Sequence, residues 1–420
     1  MDRFVVHGGR PLEGTLTAMS AKNAVLPILA ACLLTPEECV IENVPMLEDV
    51  GTMLRLLESM GAGVSRSGRT VRVRAGEEPC CEAHYDIVRK MRASYYVLGP
   101  LVGRLGHARV SLPGGCAIGA RPVDLHLKGI EALGAEVSID HGYIDARARR
   151  VRGATVTIEG PNGPSVGATA NTMMAACLAK GETVIRGAAC EPEVADLAGF
   201  LERMGAAIEG AGTPTVRVKG VSRLRGCRYR PIPDRIEVGT VAVAAAMTKG
   251  KVEIRNCRPG HLGAVLEMLE QGGVEVKTRG RSMVVSGRGR PKAANVSTAP
   301  YPGFPTDLQA QFTALLSLGR GTSVVTESIF ESRFMHAMEL NRMGANIEVN
   351  GNVAVVHGVS RLRPAQVMAS DLRASAALVL AGLAARGRTE VLRIYHLDRG
   401  YERLEEKLGR LGARIERVRG

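Results

Sequence analysis

The chain has 420 residues, 45% hydrophobic and 23% charged, which fits a globular protein too long for one ordinary core, so two domains are expected. Its nine cysteines include no CxxC pair and no His/Cys cluster at zinc spacing, as expected of a reduced cytoplasmic protein without a structural metal. A formal charge of +13 calls for anionic partners, but 3% aromatic content, no Trp and scattered basic residues disfavour nucleic acid and favour small anionic substrates.

Taken in chain order, the start "RFVVHGGRPLEG" reads as a strand and lacks the basic-then-apolar pattern of a signal peptide. "SAKNAVLPILAACLL" follows, a helix apolar nearly all round that opens on Lys22 and Asn23. Neither it nor "ASAALVLAGLAA" approaches the roughly 20 apolar residues of a membrane span, so no membrane insertion is expected. "LESMGAGV" then ends an amphipathic helix on a glycine and starts a strand. The same junction returns as "IEALGAEV", "LERMGAAI", "LEQGGVEV", "NRMGANIEV" and "LGRLGARIERV", with its glycine at 61, 134, 205, 273, 344 and 412. Six repeated units therefore fill the chain, each with a helix-terminating glycine.

A second element recurs within the units as "MMAACLAKGETVIRG", "AVAAAMTKGKVEIRN", "ALLSLGRGTSVVTES" and "LVLAGLAARGRTEVLR". These helices lack a polar face and are expected to be buried on every side. The closing strands "TVRVRAG", "TVRVKGV", "MVVSG" and "VAVVHGV" alternate, so each has one wet face. Helices lie inside and sheets outside, the inverse of doubly wound layering. The sixth unit lacks a closing strand, and "RFVVHGGRPLEG" resembles "VAVVHGVSRLRP" closely enough to supply it. The expected domains are residues 21–230, and 1–20 plus 231–420 completed by the N-terminal strand. "GRPLEGTLTAMSAKN" and "YRPIPDRIE" are the expected crossings, and a cleft between the domains is the expected substrate site.

Several stretches depart from the repeat. "KMRASYYVLGP" carries Arg92. "VSLPGGCAIGARPVDL" sets Cys116 among small residues ahead of Arg121 and a helix opened by Pro122, an accessible thiol beside a cation and a helix N-terminus. A small buried residue under a loop is the bland alternative there, and it is the reading adopted for the other eight cysteines. "GPSVGATANTMMAAC" is a glycine-rich loop entering a helix that could cradle a diphosphate through backbone N–H groups, although it is neither a P-loop nor GxGxxG. In "YPGFPTDLQ" the sequence chemistry favours Thr306 or Asp307 as a helix cap, with Asp307 as a general base the sharper alternative. "ASDLRASAAL" carries Asp371 and Arg373, and "IYHLDRGYERLEEKL" carries His396 and Arg399. Lys22, Arg92, Arg121 and Arg399 together suit a substrate with phosphate and carboxylate groups.

Over essentially its whole length the chain resembles the UDP-N-acetylglucosamine 1-carboxyvinyltransferases, enolpyruvyl transferases of peptidoglycan precursor synthesis. "AKNAVLPILAA", "MRASYYVLGPLVGRLG", "LPGGCAIGARPVDLHLKGIEALGAE", "IPDRIEVGT", "YPGFPTDLQAQF", "FESRFMHAMELNRMGA" and "MASDLRASAALVLAGLAARG" carry the match, in order. The resemblance implies two inside-out α/β-barrel-like domains, each of three repeated βαβαββ-type units with buried helices and outer sheets. It implies phosphoenolpyruvate and UDP-N-acetylglucosamine as substrates, and no cofactor or metal. By residue matching, Cys116 would be the general acid and Asp307 the base. Lys22, Asn23, Arg92, Arg121 and Arg399 would hold phosphoenolpyruvate, with Lys22 and Arg399 also serving the chemistry. Asn23, Arg92, Arg121, Pro122, Val123, Asp124, Leu125, Ser165, Val166, Gly167, Asp307 and Ile329 would contact the UDP-sugar, and Asp371 and Arg373 would support the site. The glycines would let the Cys116 loop close as a lid.

The family usually reads Ser-Gly before "AKN", where this chain has Met19 and Ser20, and its diphosphate loop often carries a lysine near Gly163. Two rival readings of the sequence are enolpyruvyl transfer to shikimate 3-phosphate and, remotely, a basic nucleic-acid-binding clamp. The sequence does not set the oligomeric state, for which a monomer is the default expectation.

Overall fold

A computed structural model describes residues 2–112, 123–330 and 333–420. They form two compact units: the described residues of Met1–Met19 with Pro233–Gly420, and those within Ser20–Ile232. Each unit has its own continuous apolar core.

Six helices run through these cores. In the unit beginning at Ser20 they are Lys22–Ala31, Leu98–Leu105 and Val166–Ala176. In the other they are Arg235–Met247, Gln309–Leu316 and Leu372–Ala384, which pack on one another pairwise. Every residue of Arg235–Met247 is buried. Such a helix has no wet face, so its sequence carries no polar stripe. Gly99 and Gly103 let Leu98–Leu105 approach Val166–Ala176 closely: a Cβ on Gly99 would lie 2.3 Å from the Asn171 carbonyl oxygen, and one on Gly103 2.9 Å from the Ala175 Cα.

Among the described residues six four-stranded sheets, three per unit, stand around the helices, with one shared topology: a parallel edge strand followed by three antiparallel strands. Closing strands such as Thr70–Arg74 and Thr215–Lys219 bury alternate residues, one face on the core and one in water. In the sixth sheet Arg3–Gly8 lies between Gly387–Leu392 and Arg414–Val418, antiparallel to both, and Phe4 opposes Val391 and Arg417. Phe4 and Val6 are fully buried there, each contributing about 1.5–3 kcal/mol. The other unit closes on itself in a different way, since its late strand Arg228–Tyr229 pairs parallel with Cys39–Ile41.

The six repeat glycines have a single cause. Gly61, Gly134, Gly205, Gly273, Gly344 and Gly412 all adopt positive φ, between 80° and 104°. At each, the glycine N–H and the next N–H bond back to helix carbonyls, as in Gly61 to Glu58 at 2.9 Å and Ala62 to Leu57 at 3.0 Å. This double closure is the Schellman motif, and its apolar partners (Leu57 with Ala62, Ile130 with Ala135, Leu201 with Ala206) also recur. No helix among the described residues is long and apolar enough to cross a membrane.

Candidate active site

In the unit beginning at Ser20, Lys22 opens its helix and its Nζ lies 3.1 Å from Oδ2 of Asp49, with side-chain exposures of 12% and 6%. Asn23 follows, half-buried. Ser20, just before, is buried: its hydroxyl donates to the Pro231 carbonyl at 3.2 Å and accepts from the Asn43 amide at 3.0 Å. Arg92 begins the 3-10 segment Arg92–Val97, which packs against the Lys22 helix.

Val123 precedes and Asp124 starts the helix Asp124–Ala132, with Leu125 half-buried behind it. Ser165 caps Val166–Ala176, its hydroxyl accepting from the Ala168 N–H at 3.3 Å. The turn before this cap holds Gly163 at φ +92°, a conformation open to glycine and costly for a lysine. The two helix starts meet at His126, whose ring packs against Gly167 and whose Nδ1 lies 2.8 Å from the amide nitrogen of Asn171. Burial first, then the charge of Arg92 and against the opposing effect of Asp124, pushes the His126 pKa down to about 4, so the imidazole is neutral at physiological pH.

The other unit organises its polar residues around Asp307. Its two carboxylate oxygens accept from Arg333 at 2.8 Å and Arg373 at 2.7 Å, both guanidiniums being almost fully buried. Burial alone would raise the carboxyl pKa, but Arg373 and then Arg333 outweigh it and hold Asp307 well below the usual carboxylate range. Arg333 also donates to the Thr306 hydroxyl at 2.7 Å, and that hydroxyl donates to Glu327 at 2.8 Å. Glu327 in turn accepts the Ile329 N–H at 2.9 Å. Arg373 is held over the Tyr401 ring at 5.4 Å, and Gln311 ties the Tyr401 hydroxyl to the Asp307 carbonyl, each at 3.1 Å.

The cap reading of Asp307 is therefore wrong. Neither Thr306 nor Asp307 caps the Thr306–Leu308 turn or the Gln309–Leu316 helix, because both side chains are taken by Arg333, Arg373 and Glu327. The cap in this region is Asp371, whose Oδ1 accepts from the N–H groups of Arg373 at 2.8 Å and Ala374 at 3.1 Å. Arg399 follows the short helix Tyr395–Asp398. The neighbouring His396 is pushed down by burial, with Asp371 opposing and Arg399 and Arg393 adding to the shift.

The sequence profile described as EPSP synthase (3-phosphoshikimate 1-carboxyvinyltransferase) matches residues 6–408. The chain belongs to the EPSP synthase family of enolpyruvyl transferases. Proteins named UDP-N-acetylglucosamine 1-carboxyvinyltransferase from Trichlorobacter lovleyi and Granulibacter bethesdensis are 54% and 55% identical to it, covering 100% of this chain and 99% and 100% of theirs. Among solved structures, the enolpyruvyl transferase NikO from Streptomyces tendae superposes with a TM-score of 0.89 at 27% identity, over 99% of both chains. An EPSP synthase from Acinetobacter baumannii shares the fold, with a TM-score of 0.77 at 16% identity over 100% of both chains.

For this enolpyruvyl transferase, the sequence-derived residues fall into two described sets. Lys22, Asn23, Arg92, Val123 to Leu125 and Ser165 to Gly167 belong to one unit; Asp307, Ile329, Asp371, Arg373 and Arg399 belong to the other. Cys116, Arg121 and Pro122 lie outside the described residues. Sequence reasoning did not single out Arg333, Glu327, Asp49 or the His126–Asn171 pair. For Arg333 a signal was available, since it sits between two phenylalanines in "FESRF". Nor are all the other cysteines buried: Cys80 is exposed, whereas Cys32, Cys39, Cys177 and Cys257 are buried. Among the described residues no group of three or more His, Cys, Asp or Glu side chains could hold a metal ion.

Proposed function

We propose that this enzyme transfers the enolpyruvyl group of phosphoenolpyruvate to the 3-hydroxyl of UDP-N-acetylglucosamine, releasing inorganic phosphate. The observation that carries the acceptor is full-length identity of 54% and 55% with relatives bearing that activity in their names. The reaction is an addition followed by an elimination. The sugar oxygen bonds to C2 while C3 gains a proton. The C2–O bond to phosphate then breaks as C3 loses a proton, which restores the double bond.

In this reading Lys22, Asn23, Arg92, Arg121 and Arg399 hold the phosphate and carboxylate of phosphoenolpyruvate, as forked and point cations suit both groups. Cys116 gives C3 its proton, on a loop that closes to exclude water. Asp307 receives the hydroxyl proton. Clamped by Arg333 and Arg373, it is always ionised near neutrality but a weak base, so it accepts the proton only as C–O bond formation acidifies the hydroxyl. Asn23, Arg92, Arg121 to Leu125, Ser165 to Gly167 and Ile329 contact the UDP-sugar, and Asp371 and Arg373 brace the site. The product enters peptidoglycan precursor synthesis, a cytoplasmic step on which cell-wall growth and division depend, and fosfomycin alkylates Cys116.

Phosphate release from phosphoenolpyruvate, with UDP-N-acetylglucosamine and with shikimate 3-phosphate in separate reactions, tests the proposal. Release with the UDP-sugar alone is expected; release with shikimate 3-phosphate alone overturns the acceptor. In the same assay Cys116→Ser should lose nearly all turnover, and fosfomycin should add mass to the Cys116 peptide of the unsubstituted protein.

A further inference from the structure

We infer that Cys39 and Cys227 form a modification site, two opposed thiols that hydrogen peroxide closes to a disulfide. The inference is independent of the acceptor assigned above. Arg228 opposes Val40 where Arg228–Tyr229 runs parallel to Cys39–Ile41, and the Val40 N–H donates to the Cys227 carbonyl at 2.8 Å. One step back along the same register sets Cys227 opposite Cys39. Neighbouring strands lie about 4.8 Å apart, inside the roughly 4.4–6.8 Å that a disulfide spans between Cα atoms. The two side chains also point to one face of the sheet. Cys39 and Ile41 are fully buried. Tyr229, two residues after Cys227 and so on its side of the strand, sets its ring edge-on to the buried Phe200 at 5.4 Å. The two sulfurs are in hydrogen-bonding contact, and Cys32 contacts Cys39 as well.

Cys227 is half-buried, whereas Cys32 and Cys39 are fully buried, so a small oxidant reaches Cys227 first. Cys32 is the weaker partner, because its thiol donates to the Ile28 carbonyl at 3.3 Å, one helical turn back. Hydrogen bonds from Cys227 and then from Cys32 lower the Cys39 thiol against the opposing effect of burial, while the same contact and burial raise Cys227. Cys39 is therefore the sulfur ready to attack its oxidised neighbour. The Cys227 sulfur attacks one oxygen of hydrogen peroxide, the O–O bond breaks, and the released hydroxide takes the thiol proton and leaves as water. Cys39 then attacks the Cys227 sulfenic sulfur, the S–O bond breaks, and a second water departs with the Cys39 proton. Two thiols lose two electrons, and one peroxide becomes two waters. The bond staples the last strand of this unit, only two residues long, to its first described strand. Such a bond suits a reducing compartment, where disulfides are transient and respond to oxidant.

Brief treatment of the full chain with hydrogen peroxide, alkylation of the remaining thiols and digestion tests the site. Trypsin cuts beside Cys227 at Arg225 and Arg228, and a glutamate-specific protease separates Cys32 from Cys39 at Glu37 and Glu38. A linked Cys39–Cys227 peptide pair, lighter by two hydrogens and released by dithiothreitol, is expected. The oxidised protein should also melt several degrees higher than the reduced one, because the bond ties segments separated by almost the whole unit. Cys227→Ser should lose both the link and the gain in melting temperature. Cys39 and Cys227 both alkylated, at a peroxide dose that has oxidised the exposed Cys80, overturns the inference. So does Cys227 carried on to sulfinic acid, a bond from Cys227 to Cys32, or an oxidised protein that melts no higher than the reduced one.

Discussion

In Asp307→Asn one acceptor oxygen remains, but Arg333 and Arg373, with side chains 6% and 5% exposed, lose the carboxylate that offsets their burial. Stripping one partner from such a cluster costs about 3 kcal/mol. Turnover should fall about 10²- to 10⁴-fold for loss of the base, and a kcat within a few-fold of the unsubstituted enzyme would sink that role. The pH dependence has a definite sign. The folded-state pKa lies below the unfolded value of about 3.9, so this stabilisation is fully present above about pH 4 and is lost as pH falls through the folded value. Melting temperature against pH should therefore be flatter in the variant on the acid side. None of this clamp could be read in "GFPTDLQ". Arg333 and Arg373 stand 26 and 66 residues further on, and a local stretch names a turn's chemistry without naming which distant charge will reach it.

At the scale of elements, what was legible was local. The six glycine junctions announced themselves because the Schellman motif is written in consecutive residues, and the all-apolar helices did so because burial on every side leaves no polar stripe. The edge strands were not legible: Arg228–Tyr229 and Val296–Ser297 have two residues each, too few to show alternation. Close helix approach is equally silent, since Gly99 matters only for what lies 72 residues on at Asn171. Gly99→Ala puts a methyl 2.3 Å from the Asn171 carbonyl oxygen, backbone that cannot swing aside. The expected cost is about 1–3 kcal/mol, read as a lowered melting temperature, and the displaced Asn171 should also loosen its hold on His126. An unchanged melting temperature would show that the helices have room to part.

For the whole molecule, the contrast lies in how each unit is drawn from the chain. Residues 20–232 are contiguous, contain three complete sheets and enclose their own core. Expressed alone, that segment should be monomeric and melt cooperatively. Residues 233–420 alone lack Arg3–Gly8 and Glu13–Thr17, so two of their three sheets miss a strand. They should aggregate unless a peptide of residues 2–19 is supplied, and size-exclusion chromatography with circular dichroism distinguishes the outcomes. A well-behaved 233–420 fragment would mean those two strands add little.

The insertion of Arg3–Gly8 between Gly387–Leu392 and Arg414–Val418 also sets a timetable. The ribosome makes this strand about 400 residues before its two neighbours, a wait of roughly 20–80 s at 5–20 residues per second. Throughout that interval Phe4, Val5 and Val6 have no sheet to enter, while the unit beginning at Ser20 can already be folded. A nascent chain thus carries an unpaired, apolar strand throughout that interval, and this sheet cannot close until Arg414–Val418 has been made.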